Sequence, residues 1–282
     1  MGKFSDALEK SRASAARTDQ TKRSSQQASL SARAIDELRL DTKPKVEPQE
    51  QAVAFSGKVD PRLVCFTEPA SPAAESFKLL RAKIFTNTRQ QEIRTLIVTS
   101  PQPFDGKSLV AANLAMTIAR GINEHVLLID ADMRRPSLHK IFGLQVSQGL
   151  FEYLRQGTSI EPYLTKTPVA KLVLVPAGMN PQDPSELLSS DKMRTLLQEL
   201  RDRYSDRYII IDAPPASFAA ESKFLVHMSD ATLLVVRSGK TRLQATKEAI
   251  KNLVEEKILG VVFNADPAHA KTYQDYYHYY SK

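Results

Sequence analysis

Residues 95–119 read TLIVTSPQPFDGKSLVAANLAMTIA, an apolar run, a short loop closing on Gly106-Lys107-Ser108, then a run with helical spacing. Strand, tight loop and helix in that order are the physical form of a phosphate-binding loop. Backbone N–H groups at a helix N-terminus point at an anion, and the helix dipole favours negative charge there. Lys107 adds a mobile positive charge suited to β- and γ-phosphates, and the Ser108 hydroxyl suits a Mg²⁺ ligand. The loop departs from the usual pattern, which asks for Gly five residues before the Gly-Lys pair. Pro101 stands there, and Phe104 and Asp105 fill positions where small residues are common. Gly-Lys-Ser by itself also fits an ordinary loop with Ser108 capping a helix, so the companion motifs decide the reading.

Working outward, strands are expected near 94–99, 125–130, 171–176, 207–212, 231–236 and 258–263. Helices are expected near 107–120, 185–202 and 241–256. HVLLID (125–130), RYIIID (207–212) and TLLVVR (232–237) are continuously apolar rather than alternating, as strands buried on both faces are. Upstream, AAESFKLLRAKIF (73–85) sets Phe77, Leu80 and Ile84 on one helical face, with Glu75, Lys78 and Arg81 nearby. The pattern predicts an α/β fold of the P-loop NTPase type, with a doubly wound, mainly parallel sheet and ligands at the carboxyl ends of its strands.

Two of those strands end in acids. HVLLIDADMRRP carries Asp130 and Asp132, followed by Arg134 and Arg135, and RYIIIDAPP carries Asp212. Each acid alone fits a turn or helix cap. Three on the rim where the phosphate loop opens would repel one another, and Mg²⁺ is the economical neutraliser. Lys107 and the loop N–H groups are then expected to hold phosphates, Ser108 to ligate Mg²⁺, and Asp212 to hold it through water. Asp130 and Asp132 remain for metal binding or proton acceptance, and the sequence leaves those two roles open between them. Pro103, Phe104, Asp105, Gly106 and Leu109 complete the expected nucleotide-binding loop. Asn264, ending the last expected strand, is a candidate for contact with the base.

Composition bounds the rest. The 282 residues are 42% hydrophobic with net charge +7 and one cysteine, Cys65. An internal disulfide is excluded, and a reducing compartment fits. No apolar run reaches the roughly 18–20 residues of a membrane span, no signal-peptide core follows the first Met, and Asp6 occupies the place of the Ser or Thr in a myristoylation signal. Basic residues are spread along the chain, which argues against a nucleic-acid partner. Residues 1–60 read as a flexible polar segment, either a docking peptide or a solvated leader. A folded domain is expected over 61–267, with a tail at 268–282. The tail ends KTYQDYYHYYSK, so five of nine tyrosines (Tyr273, Tyr276, Tyr277, Tyr279, Tyr280) fall in the last ten residues. With no apolar periodicity to bury them, they read as phosphate acceptors, or else as an aromatic interface. Each phosphate adds about −1.5 to −2 charges.

The chain resembles the bacterial P-loop tyrosine autokinases of exopolysaccharide loci, and is most similar to the stand-alone cytoplasmic subgroup found with exosortase-linked clusters. The likeness is carried by SPQPFDGKSLVAANLA (100–115), LLIDADMRRPSLHKIFGL (127–144), DPSELLSSDKMRTLLQEL (183–200), IIIDAPP (209–215), the tyrosine-rich tail and MGKFSDALEKS (1–11). It implies ATP and Mg²⁺, with phosphate passed to tail tyrosines between subunits of a ring-like homo-oligomer. Glu75, Lys78 and Arg81 match the family's oligomerisation pattern, with Lys where Arg is usual and so without its bidentate fork. The resemblance further implies a separate membrane-embedded co-polymerase activator, other protein substrates, a phosphotyrosine phosphatase, and a place at the inner face of the plasma membrane through that partner.

The family loop usually reads Pro-Gly-Glu-Gly-Lys-Ser, and a Gly missing where φ is positive restricts the backbone. Two rivals follow. A partitioning or cell-division-site ATPase of the ParA/MinD kind would carry Lys at position 102, where this chain has Gln. A nucleotide-binding scaffold without transfer activity has the altered loop as its support.

Overall fold

Apolar runs without polar alternation suit strands that are covered on both faces, and in the computed structural model of this chain they form such strands. The structure describes residues 58–88, 93–156, 159–179, 184–203, 206–217 and 220–266, all within the unit Pro48–Lys282. The tyrosine-rich tail and nearly all of the polar segment 1–60 lie outside these.

Two helices, α1 (Val64–Thr67) and α2 (Pro72–Thr88), precede β1 (Thr95–Thr99), and α3 (Lys107–Ala119) follows it. Next come β2 (His125–Asp130), α4 (Leu138–Ile141), α5 (Leu150–Gln156), β3 (Thr165–Lys166) and β4 (Leu172–Val175). The order closes with α6 (Pro184–Leu188), α7 (Asp191–Arg203), β5 (Arg207–Asp212), α8 (Ala220–Met228), β6 (Ala231–Arg237), α9 (Leu243–Asn252) and β7 (Ile258–Asn264). The strands form one sheet in the order β3-β4-β2-β5-β1-β6-β7. Every described pairing is parallel except β3 with β4. The expected doubly wound, mainly parallel sheet is therefore the fold.

Successive residues of a strand serve opposite faces. Ile97, Leu127, Ile129 and Ile211 pack with Met193, Leu196 and Leu200 of α7 and with Leu225 of α8. Leu96, Val98, Leu128 and Ile210 pack on the other face with α3, α2 and the chain around Leu63. Helix α3 is buried nearly all round, as a helix without a polar face must be. Its one buried amide side chain has partners. Asn113 accepts from the Cys65 amide at 3.0 Å and donates to the Arg62 and Leu109 carbonyls at 3.2 and 3.0 Å.

The helix expected over 185–202 is two helices. Ser190 breaks it, its hydroxyl donating to the Leu187 carbonyl at 2.7 Å and accepting the Met193 amide at 3.3 Å, which caps α7. The helix expected over 241–256 stops at Asn252, where Leu253 turns extended. Helices α1, α4, α5 and α8 and strand β3 were not expected. They are short, and α4 owes its start to a carboxylate from another element.

Candidate active site

The loop between β1 and α3 bends through two left-handed residues, Phe104 at φ 69° and Gly106 at φ 95°. Gly106 is required twice over, since a Cβ there would meet the Asn264 amide nitrogen at 2.1 Å. Phe104 adopts a conformation that is uncommon for a bulky side chain, and neighbouring contacts hold it. The Asp105 carboxylate accepts the Gln102 amide at 2.9 Å and the Thr241 hydroxyl at 2.7 Å. Asn264 donates to the Asp105 carbonyl at 2.9 Å, and Arg237 to the Phe104 carbonyl at 3.1 Å.

Parallel register brings the acids to the same end of the sheet. Asp130, closing β2, sits beside Asp212, closing β5, and β5 lies next to β1, which feeds the loop. Lys107, the first residue of α3, reaches back over them. Its ammonium lies 2.7 Å from Asp132 Oδ2, 3.3 Å from Asp212 Oδ1 and 3.2 Å from Ser108 Oγ. Burial opposes the Lys107 charge, but the charges of Asp212, Asp132 and Asp130 outweigh it and hold the ammonium charged well above the ordinary lysine range. Burial, then the charge of Asp212, pushes Asp130 up to about 8, against the Leu138 and Ser137 amides and the Lys107 charge. Both amides donate to Asp130 Oδ2 at 3.1 Å, and that is how the acid starts α4. Burial also raises Asp212, with Asp132 adding to it and Lys107 and Ser108 pulling the other way.

The donor set suits Mg²⁺. Asp130 Oδ1 and Asp212 Oδ2 are buried oxygens without a hydrogen-bond partner, and an orphaned buried acceptor is costly unless a ligand meets it. These oxygens and the Ser108 hydroxyl are the hard ligands that Mg²⁺ takes. Among the described residues no three His, Cys, Asp or Glu side chains form a metal cage, and Mg²⁺ usually relies on one or two carboxylates, waters and phosphate oxygens instead.

Other expected site residues are placed differently. Leu109 turns its side chain to the core beside α3. Asn264 engages the loop backbone from behind. Glu75 and Lys78 close on each other at 2.8 Å, and Arg81 donates to the Thr117 carbonyl at 2.9 Å, at the far end of α3. Tyr273, Tyr276, Tyr277, Tyr279 and Tyr280 lie outside the described residues. Six residues were not anticipated at the site. Arg134 bonds the buried Glu221 of α8 at 2.8 Å and Ser185 of α6 at 2.8 Å, and Ser185 donates to Glu221 at 3.0 Å. The Arg135 guanidinium lies 4.9 Å from the centre of the Phe104 ring, while Arg237 and Thr241 pin the loop. The Arg134-Arg135 pair following Asp132 was the available signal; Glu221 had none.

Comparison with known proteins follows this geometry. A family model described as an AAA domain matches residues 105–258. The chain is 33% identical over 218 residues to the putative tyrosine-protein kinase CapB of Staphylococcus aureus, covering 76% of this chain and 93% of that one. This chain belongs to the bacterial tyrosine-protein kinases. A second member of the family, tyrosine-protein kinase YwqD of Bacillus subtilis, is 32% identical, covering 76% of the chain and 90% of the relative. Among solved structures, the chimerical protein CapA2B2 superposes with a TM-score of 0.68 at 29% identity, covering 76% of this chain and 95% of that one. The kinase domain of the Escherichia coli tyrosine kinase ETK gives 0.67 at 29% identity, covering 72% and 79%. No described helix is long and apolar enough to cross a membrane.

Proposed function

We propose that this kinase transfers the γ-phosphoryl group of ATP to the tyrosines of its own tail, Tyr273, Tyr276, Tyr277, Tyr279 and Tyr280, between subunits. The observation that carries the reading is Lys107 held charged among Asp132 and Asp212 at the mouth of a phosphate-binding loop, in a chain of this family. Loop N–H groups and Lys107 bind the β- and γ-phosphates, and Lys107 exchanges its carboxylate partners for phosphate oxygens. Ser108, Asp130 and Asp212 hold Mg²⁺, which when bound neutralises charge developing on the phosphates. The tyrosine oxygen bonds to the γ-phosphorus as the bond to the bridging oxygen breaks. ADP leaves with the bonding pair, and the phenolic proton passes to a carboxylate. Asp130 and Asp132 divide the roles of metal-side carboxylate and proton acceptor.

The wider setting is read from the resemblance. It comprises a folded domain over 61–267 between a flexible leader and the tail, and assembly through Glu75, Lys78 and Arg81 into a ring. It also comprises activation by a membrane-embedded co-polymerase at the inner face of the membrane, reversal by a phosphatase, and control of exopolysaccharide export in an exosortase-linked setting. The pairing of chains named in the CapA2B2 chimera supports a kinase that works with a second protein.

Mass spectrometry of the tail peptide released after Lys271, compared with a Lys107→Met chain, tests the transfer. Several phosphates on the wild type and none on the variant are expected. Nucleotide binding with an unmodified tail, even with an activator present, would replace the kinase by a scaffold.

A further inference from the structure

Phe104 is 77% exposed on a loop whose backbone is held by Arg237 and Asn264. Large aromatic side chains are usually buried, and this one also sits at φ 69°. An uncommon backbone held in place by surrounding contacts is characteristic of functional loops. The holding contacts are those of Arg237, Thr241 and Asn264 around Phe104 and Asp105, so the ring is fixed at its backbone and open at its tip. Arg135 lies over the ring. The Arg135 amide bonds Asp132 Oδ1 at 3.1 Å, and Asp132 Oδ2 meets the Lys107 ammonium at 2.7 Å. Phe104 and Arg135 therefore join the two loops that frame the carboxylates, across the opening of the site.

We propose that Phe104 is the acceptor platform of this kinase: its open ring face stacks on the ring of the tyrosine being phosphorylated, presented from residues 273–280 of a second copy. The inference rests on the transfer reading above. Three features select this occupant. The family's acceptor group is an aromatic ring, which prefers offset stacking or an edge-to-face arrangement on another ring. The chain carries five such rings within eight residues, 273–280. Arg135 over the ring and Arg237 at the Phe104 carbonyl supply positive charge, which complements Asp275 and the phosphates that earlier transfers add to neighbouring tyrosines.

The test uses the full chain with MgATP and the synthetic peptide KTYQDYYHYYSK as acceptor. Phe104→Gly removes the ring yet suits the positive φ, so the loop keeps its shape; an unchanged melting temperature checks this. The expected result is a rise in KM for the peptide of roughly three- to tenfold, the range for a lost ring–ring contact. KM for ATP moves less than KM for the peptide, and Phe104→Tyr restores the peptide value. A rise in KM for ATP alone would assign the ring to the nucleotide and overturn the platform, as would equal constants for wild type and Phe104→Gly. Absence of transfer by the wild type to both its tail and the peptide, with an activator present, would instead remove the kinase reading, and the platform with it. The two failures are thereby distinct.

Discussion

Asp130 shows how the placement of a single residue can cost stability. It is fully buried beside Asp212, one of its oxygens has no partner, and its pKa is pushed up to about 8. For a carboxyl raised this way, the folded state holds a proton that the unfolded chain has released, so stability falls as pH rises from the ordinary carboxylate range toward 8. Asp130→Asn keeps an acceptor for the Ser137 and Leu138 amides and removes the ionisable group. Thermal unfolding at neutral pH without nucleotide is expected to move up by a few degrees, each kcal/mol corresponding to roughly 2–4 °C in a domain this size. Phosphate transfer is expected to be lost in the same variant. A melting temperature that falls would mean the acid stabilises the loop rather than serving the site.

At the scale of elements, Glu221 ties α8 to α6 and to the chain after β2 through Ser185 and Arg134. Burial raises its carboxyl, but hydrogen bonds from Arg134, its own amide and Ser185, and the Arg134 charge, bring it below the ordinary glutamate value. A depressed carboxyl stabilises the fold above the unfolded pKa and ceases to as pH falls through the folded one. Glu221→Gln is therefore expected to lose about 1–2 kcal/mol at neutral pH, the scale of a charge-assisted hydrogen bond. The gap to wild type should close as pH falls below the ordinary glutamate range. Melting curves over that range check it, and a gap independent of pH would show that packing rather than charge is responsible. None of this linkage was legible beforehand. Arg134 and Ser185 stood in noted motifs, but Glu221 lies 87 positions from Arg134, and no local pattern marks such a pair.

For the whole molecule, assembly is the open physical question. Glu75 and Lys78 pair with each other and Arg81 reaches Thr117 within the same chain, so a neighbour must compete with contacts already made. Exposed pairs of this kind contribute little, about 0–1 kcal/mol, and exchange at low cost. Glu75→Ala with Arg81→Ala is expected to shift sedimentation toward monomer. An unchanged profile would place the interface elsewhere.

The strands of the parallel sheet were readable in advance, but their order was not. Runs such as HVLLID and RYIIID announced strands and their terminal acids, because burial on both faces leaves a continuous apolar signature. The phosphate loop was legible for the same local reason: its glycine, lysine and serine act within a few residues of one another. What local pattern does not contain is which strands become neighbours. Only the order β2-β5-β1 sets Asp130 beside Asp212 and under Lys107, and only the return of β6 and β7 brings Arg237, Thr241 and Asn264 against Phe104 and Asp105. By itself the sequence determined the central strands, the chemistry at their ends and the family. Tertiary structure decided the distances, because hydrogen bonds between strands and burial of α3 act between residues more than a hundred positions apart.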